Sequence, residues 1–187
     1  MATAHKHTHR EHEGEALIDA ARRSLETQGE RWTGMRSEVF EELARHSRPV
    51  SAYDIAENLS NRRGSRVAPN SVYRILDIFV RKNLANRIES ANAFLVNSHP
   101  GCRHDCIFLI CDDCGAADHV DDDALTGALR EAGQAAGYAE VRPVVELRGL
   151  CAACSNARVQ QRAVQPRRRD RVGHGALALL AAAARDR

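Results

Sequence analysis

Cys111-Asp-Asp-Cys114, followed after 36 residues by Cys151-Ala-Ala-Cys154, decides how this chain is organised. Two Cys-x-x-Cys knuckles supply four thiolates, the full complement of a closed tetrahedral zinc site. The spacer exceeds the roughly 15 to 20 residues of an ordinary zinc ribbon. It is long enough for strand, helix and strand, so the expectation is a zinc that clasps the two ends of a small α/β unit. Two other uses of the same cysteines stand beside this one. Two disulfides would suit an oxidising compartment, but nothing at the N-terminus resembles a signal peptide. A redox Cys-x-x-Cys would follow a strand in a thioredoxin-like unit and would need no second copy.

Composition narrows the classes. The 187 residues leave room for one or two small domains with a core. No apolar run approaches the roughly 20 residues of a membrane span; the longest lies at Ala176–Ala184. A cytoplasmic protein is therefore expected. Aromatic residues make up only 4%, which disfavours base-stacking platforms for single strands. The net charge of +2 is uneven: residues 157–187 hold eight Arg and two Asp, or +6, leaving −4 for the rest. A basic, flexible tail is expected there, with a fraying helix at Ala176–Ala184 and non-specific attraction to phosphate.

At the other end, residues 1–13 carry His5, His7, His9 and His12 without apolar periodicity, which predicts a disordered tail able to bind divalent metal weakly. Leu17, Ile18, Ala21 and Leu25 then fall at helical spacing, and Gly29 ends that run. Thr33 is placed to cap a second helix bearing Met35, Val39, Phe40 and Leu43. Ser51-Ala-Tyr-Asp54 reads as a capping box before Ile55, Ala56 and Leu59. Pro69 opens the next helix, whose core face is Val72, Ile75, Leu76 and Phe79. Its other face holds Asn70, Ser71, Arg74, Asp77 and Arg81. Leu84 to Val96 reads as a hairpin.

Short helices closed by a hairpin make a winged helix, in which the last helix enters the major groove of DNA. Arg74 suits a fork to guanine or phosphate, while Asn70, Ser71 and Tyr73 complete the expected contact set. Beyond the hairpin, His99, Cys102, His104, Cys106, Cys111, Cys114 and His119 crowd within 21 residues. Ile107–Ile110 is a buried strand, Val120 closes a second, Asp121–Asp123 start a helix to about Ala136, and Tyr138–Leu147 reads as a further strand. The fold class is thus α+β: a disordered tail at 1–13, a winged-helix DNA-binding domain at 14–97, a small zinc-clasped α/β domain at 98–156 and a basic tail at 157–187. A zinc hydrolase or deaminase would need an open zinc and a His-x-Glu paired with Pro-Cys-x-x-Cys; that pairing is absent, so no enzyme is expected.

Ser71-Val-Tyr-Arg74, the paired Cys-x-x-Cys knuckles and the His/Cys-rich hinge together resemble the ferric uptake regulator family of metal-sensing repressors, over about residues 15–156. Ile-Cys-Asp-Asp-Cys-Gly and Gly-Leu-Cys-Ala-Ala-Cys are most similar to its zinc-responsive branch. The resemblance implies a homodimer on a palindromic double-stranded operator, no substrate beyond metal ions, and a second, regulatory metal that promotes DNA binding. It also implies ligands at positions that read Asn86, Asn97, His104 and His119 here. Asparagine is a poor zinc ligand beside imidazole or thiolate, so the expected regulatory set shifts to His104 and His119 with Cys102, Cys106 and His99. The alternative within the same fold is a peroxide, redox or other-metal sensor that uses Cys102 or Cys106.

Overall fold

The computed structural model describes residues 12–100 and 106–164. Four helices come first: α1 (Gly14–Thr27), α2 (Gly34–Ala44), α3 (Ala52–Arg63) and α4 (Pro69–Arg81). Their starts follow from local chemistry. The Thr33 hydroxyl accepts from the Arg36 backbone N–H at 3.4 Å. The Ser51 hydroxyl accepts from the Asp54 backbone N–H at 3.2 Å and donates to the Asp54 carboxylate at 2.7 Å. Both satisfy orphan donors of a first turn. Pro69 occupies the first turn of α4, where its missing N–H costs nothing. Gly64 closes α3 at φ +63, a conformation that favours glycine.

The helices bury one continuous core. Leu17, Ala21 and Leu25 of α1 meet Val39, Phe40 and Leu43 of α2, Ile55 and Leu59 of α3, and Val72, Leu76 and Phe79 of α4. Each large side chain so buried contributes about 1.5–3 kcal/mol. Trp32 stacks on Phe79 with ring centroids 6.2 Å apart and meets Phe40 edge-on at 5.6 Å. Ile75, expected in the core face of α4, lies at its rim, only partly buried.

Strands β1 (Ala85–Ile88) and β2 (Ala93–Val96) form the antiparallel wing, joined by a 3₁₀ turn at Glu89–Ala91. Val50 and Phe94 exchange both backbone hydrogen bonds, at 2.9 and 2.8 Å, so the segment between α2 and α3 pairs with the wing. The result is a winged helix.

A second sheet follows, in the order β4-β3-β5, from β3 (Cys106–Cys111), β4 (Ala117–Asp121) and β5 (Val145–Gly149). Helix α5 (Asp123–Ala135) lies between β4 and β5 in sequence. Asp122 caps it, accepting from the backbone of Ala124 and Leu125 at 3.1 and 3.0 Å. β3 pairs antiparallel with β4 and parallel with β5. Ile88 of the wing packs on Phe108 and Ile110 of β3, so a small second core joins the wing to this sheet.

Two expectations change. The strand expected over Tyr138–Leu147 is Val145–Gly149. Pro143 has no N–H to give a ladder, and Glu140 sits at φ +52, so pairing starts only beyond the proline. The tail expected from residue 157 is helical at first, because α6 runs Ala152–Val164. That segment lacks Gly and Pro and is rich in helix formers until Pro166. The helix expected at Ala176–Ala184 lies outside the described residues.

Candidate functional site

The α4 periodicity that builds the core also builds the first site. With Val72, Leu76 and Phe79 inward, Asn70, Ser71 and Arg74 are exposed together on the first two turns. Tyr73 is half-buried, its ring edge-on to Phe94 at 6.2 Å and to Tyr53 at 5.9 Å. Tyr53, on α3, is 63% exposed. It extends this face, and its place inside a capping motif hid it from sequence reading.

Helix α3 is held against α2 by Glu42, whose side chain is only 5% exposed. Its carboxylate takes Asn58 at 2.8 Å, Arg62 at 2.5 Å and His46 at 3.3 Å, with Arg45 at 3.7 Å. Burial pushes the Glu42 carboxyl up, but the hydrogen bonds from Arg62, Asn58 and His46, with the charge of Arg62, outweigh it and leave it below the usual range.

The second site is the cysteine cluster. Parallel pairing of β3 with β5 sets Cys111 beside Gly149, which delivers the second knuckle to the first. Donor atoms of Cys111, Cys114, Cys151 and Cys154 all lie within 4.8 Å of one another. Zinc–sulfur bonds of about 2.3 Å set tetrahedral sulfur–sulfur edges of about 3.8 Å, and Cys114 Sγ and Cys151 Sγ are 3.9 Å apart. The donor set therefore fits zinc with little movement. Cys111 Sγ accepts the Cys151 backbone N–H at 3.3 Å. Backbone N–H groups of Cys114, then Cys151 and Asp113, pull the Cys111 thiol down to about 6, whereas its cysteine neighbours, Cys151 first, push Cys154 up. Arg148 grips Asp112 at 2.6 Å and Arg158 grips Asp113 at 3.3 Å, tying β5 and α6 to the first knuckle.

The expected regulatory residues divide. His99, 5% exposed, and His119 on β4 meet edge-on with ring centroids 5.4 Å apart. They line a crevice of about 20 Å³ with Asn86, Asn97 and Phe108. Cys106 begins β3 opposite Asp121, and nothing is described of its side chain. Cys102 and His104 lie outside the described residues, so of the two cysteines named for the redox alternative only Cys106 is placed, at the start of β3. Sequence reading also missed Glu146: its carboxylate accepts from the backbone of Glu89 at 2.6 Å and Ser90 at 3.1 Å, pinning the wing tip to β5.

The profile of the Ferric uptake regulator family matches residues 27–147. The zinc uptake regulation protein of Escherichia coli (strain K12) is 28% identical over 139 residues, covering 74% of this chain and 81% of that one. The crystal structure of holo XcZur superposes with a TM-score of 0.69 at 30% identity, covering 76% of this chain and 99% of that one. A zinc uptake regulator solved in complex with zinc and DNA gives 0.72 at 26% identity, covering 78% and 97%.

Proposed function

This chain belongs to the ferric uptake regulator family, and on that footing we propose that it is a zinc-responsive DNA-binding transcriptional regulator, a repressor of metal-uptake genes that works as a homodimer in the cytoplasm. The observation that carries the reading is the joint presence of an exposed Asn70, Ser71 and Arg74 face on α4 and a four-sulfur cluster within 4.8 Å. Likeness to a regulator solved with zinc and DNA supports the same pair of ligands.

Each part has a physical role. Arg74 offers a bidentate fork to guanine or phosphate, while Asn70, Ser71, Tyr73 and Tyr53 hold register on the backbone. Residues 14–97 form this reader, and residues 98–156 form the dimerisation half. Leu109, Leu125, Leu129 and Leu147 are 38–53% exposed, apolar surface that a second copy would cover. A dimer presents two α4 helices to two half-sites, so the angle between the halves governs affinity.

Cys111, Cys114, Cys151 and Cys154 would hold zinc that stabilises the fold outright. Four thiolates leave no open position for substrate, in keeping with a regulator and not an enzyme. His99 and His119, with His104 and Cys102 or Cys106, make up the proposed regulatory set. His99 follows the wing and His119 sits in the second sheet, so a metal shared between them would favour one hinge angle and shift the population toward DNA binding.

The test uses protein that retains its tight zinc. A duplex selected from a random library is titrated by fluorescence anisotropy against zinc, iron(II) and manganese(II). Zinc should tighten binding at least tenfold and more than the others. Binding that no metal changes would overturn the sensor reading.

A further inference from the structure

The wing lies on the second sheet along one row of side chains. Strand register sets His119 of β4 and Glu146 of β5 on either side of Phe108 of β3. Cross-strand partners share a face of the sheet. Strands about 4.8 Å apart place the outer two backbones about 10 Å from each other. Each member of the row meets a different part of the wing or its exit. Phe108 packs on Ile88, which is fully buried. The Glu146 carboxylate accepts the backbone N–H of Glu89 at 2.6 Å and of Ser90 at 3.1 Å, at the wing tip. His119 meets His99, just beyond β2, with ring centroids 5.4 Å apart.

Both partners of the Glu146 contact are braced. In the wing, Arg87 pairs with the Glu89 carboxylate at 3.2 Å and donates to Asn92 Oδ1 at 3.2 Å. In the sheet, Arg148 ties β5 to Asp112 at 2.6 Å. The apolar contact between the halves is small, with Ile88, Phe108 and Ile110 as its buried residues. Apolar packing has no direction, so that contact alone would let the wing rock about Phe108. Two hydrogen bonds onto a carboxylate are directional and stronger than neutral ones.

We propose that Glu146 is a positioning residue for the hinge: by clasping the wing tip at one end of the row, it holds His99 against His119 at the other and prearranges that pair for metal. The clasp consists of a side chain and two backbone groups, so it acts on the unloaded hinge as well. Apparent metal affinity scales with the fraction of molecules in which the pair already stands in place. Linkage makes the effect reciprocal: metal on the histidines tightens the clasp by the same factor. The consequence for DNA rests on the regulator reading; the coupling of Glu146 to the two histidines does not.

The test uses full-length protein that keeps its tight zinc and has been stripped of weaker metal by a chelator. Amide exchange is followed by NMR, and zinc affinity by chelator competition. Glu146→Gln keeps the length of the side chain and removes its charge. Exchange at Glu89 and Ser90 should quicken about tenfold or more, while amides of the helical core stay as they were. Zinc at the hinge should bind about fivefold more weakly or worse. Loss of a charge alone would weaken zinc only at low salt, whereas loss of the clasp persists at about 1 M salt, where the Debye length is about 3 Å. In wild type, added zinc should slow exchange at Glu89 and Ser90, and His99→Gln with His119→Gln should abolish that slowing. Unchanged zinc affinity in Glu146→Gln at high salt, or tip amides that do not respond to zinc in wild type, would overturn the proposal. Zinc that slows the tip amides without altering DNA binding would support the clasp and count only against the regulator reading.

Discussion

The side-chain oxygen of Asn97 accepts the backbone N–H of His99 at 2.9 Å, two residues along the chain. The same side chain donates its NH₂ to the carbonyl of Asn83 at 2.8 Å and of His99 at 3.4 Å. Asn83 sits at φ +59 just beyond α4. One amide, 6% exposed, thus joins the end of α4 to the end of the wing and fixes the backbone of a proposed metal ligand. Asn97→Ala should lower stability by about 1–3 kcal/mol, the cost of leaving buried polar groups without partners. Thermal unfolding followed by circular dichroism measures it. An unchanged midpoint would mean the amide holds nothing.

The cysteine cluster makes a different prediction. Cys151→Ser with Cys154→Ser leaves two thiolates where closed tetrahedral binding needs four. Zinc content should fall from one per chain to near zero at the cluster. Amide protection over β3 and β5 should fall with it, and sedimentation should show monomer. The helical core from Leu17 to Phe79 contains none of these ligands and should keep its helicity. Protein that loses the zinc but keeps its pairing and its β3 protection would show that the metal is not structural.

These two cases mark what the sequence made legible. Periodicity was enough for α4, because Val72, Leu76 and Phe79 are three and four residues apart and one helix face must bury them. Knuckle spacing was enough for the cluster. The run of Val141, Val144, Val145 and Leu147 predicts a strand longer than Pro143 allows, and pairing covers only Val145–Gly149. In sequence Asn97 reads as a lost metal ligand, since a side chain's partners do not show in its own neighbourhood. Glu146 and the wing tip are 56 and 57 residues apart, and no local pattern joins them. Glu42 carries no local signal of burial; only the approach of Asn58 and Arg62 from α3 makes it a buried anchor.

On α4 the prediction separates kinds of contact. Arg74→Ala should weaken binding to a selected duplex by about 1–3 kcal/mol and relax preference at one base pair, if its fork meets a base edge. Ser71→Ala should weaken all duplexes alike, as loss of a backbone contact does. Tyr53→Phe removes only a hydroxyl and keeps the ring against Tyr73, so a loss there isolates a polar contact to DNA. Anisotropy titrations at several salt concentrations measure all three. Arg74→Ala binding as tightly and as selectively as wild type would remove α4 from the interface.

Glu42 sets the acid limit of the reader. Its carboxyl lies below the usual range when folded, because Arg62, Asn58 and His46 together outweigh the effect of burial. The unfolded chain takes up that proton near pH 4.3. A group whose folded value is depressed lends stability above its unfolded value and loses it as pH falls toward the folded one. Stability of the α2–α3 pair should therefore decline from about pH 5 downward. Glu42→Gln keeps the shape but cannot carry the charge that draws Arg62 and Arg45. It should cost about 1–3 kcal/mol at pH 7 and flatten the acid slope, so wild type and variant converge toward pH 3. Urea unfolding at half-unit pH steps checks this, with parallel curves as the outcome that would assign the acid sensitivity elsewhere. Because α3 supports Tyr53 and packs on α4, the same variant should weaken DNA binding at pH 7 less than Arg74→Ala does.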